Sequence, residues 1–147
     1  MEEKTGIMIA LLPASADWTD VELPHMTLVF CGKIDERKPG DFNEMAKDAA
    51  SIAMLSKGFF VAENIGIDTF GPPEELVDAL VIRPTSEIMA ARRFLEKWNR
   101  SDYPDFKPHI TIGKHPVMLT NVSRLIVFNR LSVNWGSDSI TFWLTGS

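Results

Sequence analysis

The chain has 147 residues, 45% of them hydrophobic and 24% charged, with a net charge of −5. Those figures fit one globular domain over 1–147 with an ordinary soluble composition, and no apolar run reaches the roughly 18 residues that a bilayer crossing needs. The acidic balance argues against a surface for long nucleic acid, whose affinity rests on neutralised phosphates, and the lone Cys31 points to an intracellular, cytoplasmic setting without an internal disulfide.

In chain order, "GIMIALLP" (6–13) is a short apolar run stopped by proline and reads as a buried strand. Two glutamates and a lysine precede it, which is a poor start for a signal peptide. "HMTLVFCG" (25–32) reads as a second strand. Asp41 and Glu44 form a candidate capping box for a helix through Leu55, with Phe42, Met45, Ala49 and Ile52 on one face. "FFVAENIGIDTFG" and "LVDALVIRP" (76–84) read as paired strands. Thr85 or Ser86 is the natural cap of a second helix over about 87–99, whose apolar stripe is Ile88, Ala91, Leu95 and Trp98. "KPHITIGK" and two further β-rich runs, "RLIVFNRLSVNW" and "SITFWL", complete the chain, the last two parted by the turn Gly136-Ser137-Asp138. About seven strands and two helices in this order predict an α+β fold of mainly antiparallel sheet covered by helices.

Two of the three histidines stand in one pattern, Pro-His-x-Thr-aliphatic, at His25 and at His109. Alternate side chains of a strand share a face, so His25 points with Thr27 and His109 with Thr111. Met26, Leu28 and Phe30 are expected on the opposite, buried face, as are Ile110 and Ile112. By the same parity Cys31 falls on the histidine side, where a buried, inert thiol is the expected reading. An imidazole titrates near neutrality, so one ring can accept a proton while another donates one. A threonine hydroxyl both donates and accepts, and can hold a phosphoryl oxygen. Two such units facing each other suit in-line attack on phosphorus without a metal.

"HMTL" and "HITI" resemble the two HxTx signatures of the 2H phosphoesterase superfamily, which includes the 2′-5′ RNA ligase-like proteins and cyclic phosphodiesterases. The likeness extends to the opening strand, the "DTFG" segment and "F-x-PHITIG", and so covers nearly the whole chain. It implies a bilobal, pseudo-twofold fold, two mainly antiparallel sheets each with a helix, and a central cleft between the motifs. It implies further that His25 and His109 are the catalytic acid-base pair and that Thr27 and Thr111 bind phosphate. Which histidine is acid and which is base stays open. The activity implied is metal-independent hydrolysis of a cyclic phosphate or cyclic oligonucleotide, with no cofactor. A small cyclic nucleotide or short oligonucleotide is the expected partner, with no long nucleic acid and no membrane. The chain is shorter and more acidic than the larger RNA-ligase-like members, which weakens an end-joining role.

Phe70, Tyr103 and Phe106 are candidates for base stacking, with Trp18 and Trp135 as lesser ones. Lys33 and Lys114 each follow a glycine after a motif and are candidates for the cleft rim. His115 is expected to face away from His109, with Pro116 ending the strand. Two competing readings remain at this point. A metal hydrolase would use His25 and His109 as ligands, but no HxH or HxxxH spacing accompanies them. A non-catalytic protein that sequesters a nucleotide would use the same cleft.

Overall fold

The computed structural model describes residues 5–101, 106–118 and 122–145. Strands β1 (Gly6–Pro13), β2 (Met26–Lys33), β3 (Phe60–Phe70), β4 (Val77–Arg83), β5 (His109–Lys114), β6 (Leu125–Trp135) and β7 (Asp138–Trp143) alternate with helices α1 (Asp41–Leu55) and α2 (Ser86–Leu95) in the expected order. A 3-10 turn, Glu96–Trp98, continues α2, so the expected helix to 99 ends in a tighter last turn. Thr85 caps α2 by accepting the Ile88 N–H. The expected capping box of α1 does not form. Gly40 is its N-cap, and the Asp41 carboxylate instead accepts the Lys38 N–H at 3.1 Å while Glu44 pairs with Lys47.

Every strand pairing is antiparallel, which makes the fold α+β with one dominant sheet. The order is β1-β2-β5-β4-β3-β6-β7, and β1 also pairs with β6, so six strands return on themselves and β7 extends the far edge. Two halves are visible within this ring: β2-β1-β6 with β7, and β5-β4-β3. They meet at two seams rather than forming separate sheets. One seam is β3 with β6; the other is the single bridge Met26↔Ile110 between β2 and β5.

One face of the sheet is the core. Ile7, Ile9 and Leu11 of β1, Met26 of β2, Leu80 of β4, Ile110 of β5 and Val133 of β6 are all fully buried there. Met45, Ala49 and Ile52 of α1 and Ile88, Ala91 and Leu95 of α2 close over them, which is the apolar stripe each helix carries in sequence. Each such aliphatic side chain stabilises the fold by about 1.5–3 kcal/mol. With both helices on that face, the side chains at alternate strand positions are left to the opposite, open face. That division places the histidines.

Candidate active site

The bridge Met26↔Ile110 decides the geometry of the site. Both residues are completely buried on the core face, so their chain neighbours point the other way. Because the two strands run antiparallel, continuing the ladder by one step sets His25 opposite Thr111 and Thr27 opposite His109. By that register each histidine is set toward the other motif's threonine, with the two histidines on the diagonal. Residues remote in sequence therefore share one patch on the open face, related by a local twofold through the bridge.

Each ring is held the same way. His25 Nδ1 lies 3.0 Å from the Leu23 carbonyl oxygen, and His109 Nδ1 lies 2.8 Å from that of Lys107. A carbonyl oxygen can only accept, so Nδ1 carries the proton and Nε2 is the nitrogen left to accept one. This also explains the proline of each motif. Pro24 and Pro108 sit between the carbonyl and its histidine, where a fixed φ and a missing N–H hold the preceding carbonyl for the ring. The Thr27 hydroxyl has a long contact of 3.5 Å with Met8 Sδ, a weak acceptor that leaves it able to serve a ligand.

A second shared feature follows each threonine. Ala10 pairs with Thr27 and Ile9 with Val29, so Leu28 is an extra residue; Ala79 pairs with Thr111 and Asp78 with Gly113, so Ile112 is extra. Both are β-bulges, three residues after the histidine in each motif, and each reverses which face the following residues take. Gly113, at φ 147°, accommodates the second bulge; a Cβ there would lie 3.1 Å from Val117 Cγ2.

The bulges correct two expectations. Phe30 does not join Met26 and Leu28 in the core; it sits opposite Met8 on the open face and is 42% exposed. Cys31 does not share the histidine face; it is 0% exposed in the core, and burial pushes its thiol up to about 12. A thiol so hard to ionise is no nucleophile.

The other candidates divide. Phe70 is at the site: its ring centroid is 5.4 Å from that of His109. Lys114 pairs with Val77, which has the parity of Ala79, and so reaches the open face beyond Thr111. Lys33 is not its equivalent. It ends β2 opposite Gly6, beyond a second register shift that follows Phe30, so it stands eight residues from its histidine where Lys114 is five from its own, and its N–H is taken by Glu36. Phe106 lies under the Arg92 guanidinium of α2 at 4.3 Å, so α2 and not the motif engages it. Trp135 stacks on Phe42 of α1 at 5.4 Å, and Trp18 donates to the Ser15 carbonyl. Tyr103 lies outside the described residues.

His115 turns away from His109 as expected, but not by parity: six residues apart they would share a face, and the Ile112 bulge reverses it. Its Nδ1 is 2.9 Å from a carboxylate oxygen of Asp78, which is 5% exposed and also accepts from the Thr69 hydroxyl at 2.7 Å and the Val117 N–H at 3.0 Å. The Thr69 hydroxyl first, with the Val117 N–H and His115, holds that carboxyl below its ordinary range against the opposing effect of burial. Among the described residues, no three His, Cys, Asp or Glu side chains are grouped as metal ligands would be.

Sequence reasoning missed the open face of β6 and β7. Ser132, which is buried, and Asn134, Ser139 and Thr141, with Arg130, Phe30 and His25, line a hollow of about 670 Å³. Their alternation was legible as a half-buried hairpin. Their proximity to His25 depends on β1 lying between β2 and β6, which no local pattern records.

This architecture, a ring of antiparallel strands carrying the two His-x-Thr motifs on neighbouring strands, has counterparts among solved structures. No family model and no curated protein matches the chain. Solved structures do. Usb1 of Kluyveromyces marxianus is similar at a TM-score of 0.67 and 12% identity, over 97% of this chain and 99% of that one. E. coli LigT is similar at 0.58 and 13%, over 98% and 96%. TT0787 of Thermus thermophilus is similar at 0.56 and 14%, over 95% of each. At such identities the likeness concerns the fold.

Proposed function

We propose that this chain is a metal-independent phosphodiesterase that hydrolyses a ribose phosphodiester, in a cyclic phosphate or a cyclic oligonucleotide, with His25 and His109 as general base and general acid. The observation that carries this reading is the crossing of the two His-x-Thr pairs at Met26↔Ile110, with both Nε2 atoms freed by the same backbone tie. One neutral Nε2 takes a proton from water as the water oxygen bonds to phosphorus. The other, protonated Nε2 gives its proton to the ribose oxygen as the P–O bond breaks. The water thus ends as a phosphate oxygen and the ribose oxygen as a hydroxyl, and the two rings have exchanged protonation states. Thr27 and Thr111 hold the non-bridging oxygens on the diagonal between the rings.

The structural neighbours support a phosphoesterase activity. One similar structure is described as a phosphoesterase, Usb1 has been solved with uridine monophosphate, and LigT with 3′-AMP. The acidic chain favours small nucleotides over long nucleic acid. The test is incubation of the purified protein, in excess chelator, with 2′,3′-cyclic mononucleotides, cyclic oligonucleotides and 2′-5′-linked oligonucleotides, with products read by phosphorus NMR in ¹⁸O-water. A linear phosphate carrying one ¹⁸O is expected from at least one substrate. Bound ligand recovered intact after denaturation would replace the enzyme by a sequestering protein; activity abolished by chelator and restored by a divalent ion would replace the mechanism.

A further inference from the structure

We infer that the site takes a diester with a nucleoside on each side of the scissile phosphorus, an internucleotide bond, and that the second nucleoside lies on Phe30 and the open face of β1, β6 and β7. This rests on the phosphodiesterase reading and narrows it: a mononucleotide cyclic phosphate would fill half of the site.

The local twofold relates the two motifs, so each half of the patch has its own flank. On the His109 side the flank holds Phe70, 5.4 Å from the imidazole. On the His25 side it holds Phe30, and the cause is the Leu28 bulge. An unbulged strand would bury Phe30 beside Met26; the bulge instead leaves a phenyl ring 42% exposed. Bulges next to functional sites serve to re-aim side chains, and this one moves an aromatic ring out of the core at a cost in apolar burial. A flat apolar surface beside a phosphate site suits a nucleobase, since stacking is tolerant of base identity.

Beyond Phe30 the open face is ordered in rows. Phe30 pairs with Met8, Met8 with Asn134 and Asn134 with Ser139; Thr27 pairs with Ala10, Ala10 with Ser132 and Ser132 with Thr141. The second row starts at a proposed phosphate-binding hydroxyl, passes under cover at Ala10 and Ser132, which are 0% and 3% exposed, and ends at the exposed Thr141 hydroxyl. The first starts at the aromatic ring and reaches an amide. Asn134 gives one N–H to Ser132 Oγ at 3.0 Å, which fixes its amide and leaves its carbonyl oxygen and second N–H for the hollow. A fixed donor-acceptor pair beside an aromatic platform is what reading a base edge requires. At the outer side Arg130 is pinned by the Pro13 carbonyl at 2.8 Å and by Asn129 at 3.1 Å, a held positive charge in an acidic chain. The hollow of about 670 Å³ is lined by His25, by the whole first row and by Ser132 and Thr141 of the second, while Thr27 and Ala10 stand outside its walls. Its volume lies in the range of small-molecule sites.

Steady-state kinetics on a cyclic dinucleotide, on 2′-5′ and 3′-5′ dinucleoside monophosphates, and on a 2′,3′-cyclic mononucleotide tests this. Wild-type kcat/KM is expected to favour the best internucleotide diester over the cyclic mononucleotide by about tenfold or more, and Phe30→Ala to lower that ratio about 5- to 100-fold. Asn134→Ala should lower it less. Phe30→Leu, which keeps apolar bulk but has no π face, should move the ratio the same way and covers the case of a poorly folded alanine variant. A cyclic mononucleotide turned over as well as any diester, or a ratio unmoved in all three variants, overturns the inference while leaving the phosphodiesterase reading intact. Wild-type protein that cleaves none of the four removes both.

Discussion

The two halves of the site share a backbone and differ in what it presents. On β2 and on β5 alike, a proline sets a carbonyl for the histidine, a threonine follows two residues on, and a bulge comes one residue later. Past the bulge the likeness ends. The fifth residue after the histidine is Phe30 on one strand and Lys114 on the other, and both reach the open face. In the proposed reaction the symmetric part serves a group that is itself symmetric, a phosphoryl with two exchangeable in-line positions. The asymmetric part must serve what differs about the two substituents on phosphorus. At that one position a ring stands on one strand and a cation on the other.

The comparison breaks first at the histidines. Replacing either His25 or His109 by alanine should lower kcat about 10²–10⁴-fold, because each proton transfer contributes that much. Both changes lie on the open face, so the melting temperature should hardly move. If the two strands serve one reaction, the double variant should be little worse than the worse single one, since removing either ring already stops the concerted transfer. Two losses that multiply would mean that the rings act on separate events, and the local twofold would then be geometry without a shared reaction. The same enzyme should show a bell-shaped dependence of kcat/KM on pH, one limb for each ring. A profile with a single limb would sink the pairing.

The symmetric part was legible in the sequence, and the reason is physical. His-x-Thr survives translation into structure because strand parity holds over three residues whatever happens later. The core stripes of the helices were legible for the same kind of reason, as Met45, Ala49, Ile88 and Leu95 show. Phe30 and Cys31 were assigned to the wrong faces because parity was carried across Leu28, and a bulge there is visible only in the pairing with β1. Lys33 and Lys114 look alike as Gly-Lys pairs, but the bulge sits at different distances from them. Asn134 and Ser132 could not be joined to His25 at all without knowing that β1 lies between. Local pattern reads what one strand does to its own residues; the subsite depends on what three neighbours do together.

A smaller effect sharpens the contrast between the two histidines proposed to act and His115. His115 is bound to Asp78, whose carboxyl also takes the Thr69 hydroxyl and the Val117 N–H. These contacts favour the carboxylate in the folded chain, so the folded pKa lies below the unfolded one. The stability they contribute is fully present above the ordinary carboxylate pKa and is lost as pH falls through the lowered folded value. Asp78→Asn should therefore melt lower than wild type at neutral pH, and the gap should close on acidification through the range below pH of about 4. His115→Asn should leave kcat within about twofold, against the orders of magnitude at His25 and His109. A gap in melting temperature that stays constant from neutral pH into acid would show that Asp78 does not stabilise through its charge.

The smallest effect is expected at Cys31, the residue that strand parity wrongly places beside His25. Its thiol is wholly buried, and burial holds it so far from ionisation that thiolate is negligible near neutral pH. Iodoacetamide should therefore label native protein slowly, and labelling should accelerate in denaturant. Cys31→Ala removes one small buried group and should cost no more than about 1–2 kcal/mol of stability by its volume, with kcat unchanged. A Cys31→Ala variant that lost activity while keeping its melting temperature would mean that the side chain reaches the open face after all. The Leu28 bulge would then not exist, Phe30 would return to the core beside Met26, and the two halves of the site would lose the difference that separates one side of the phosphorus from the other.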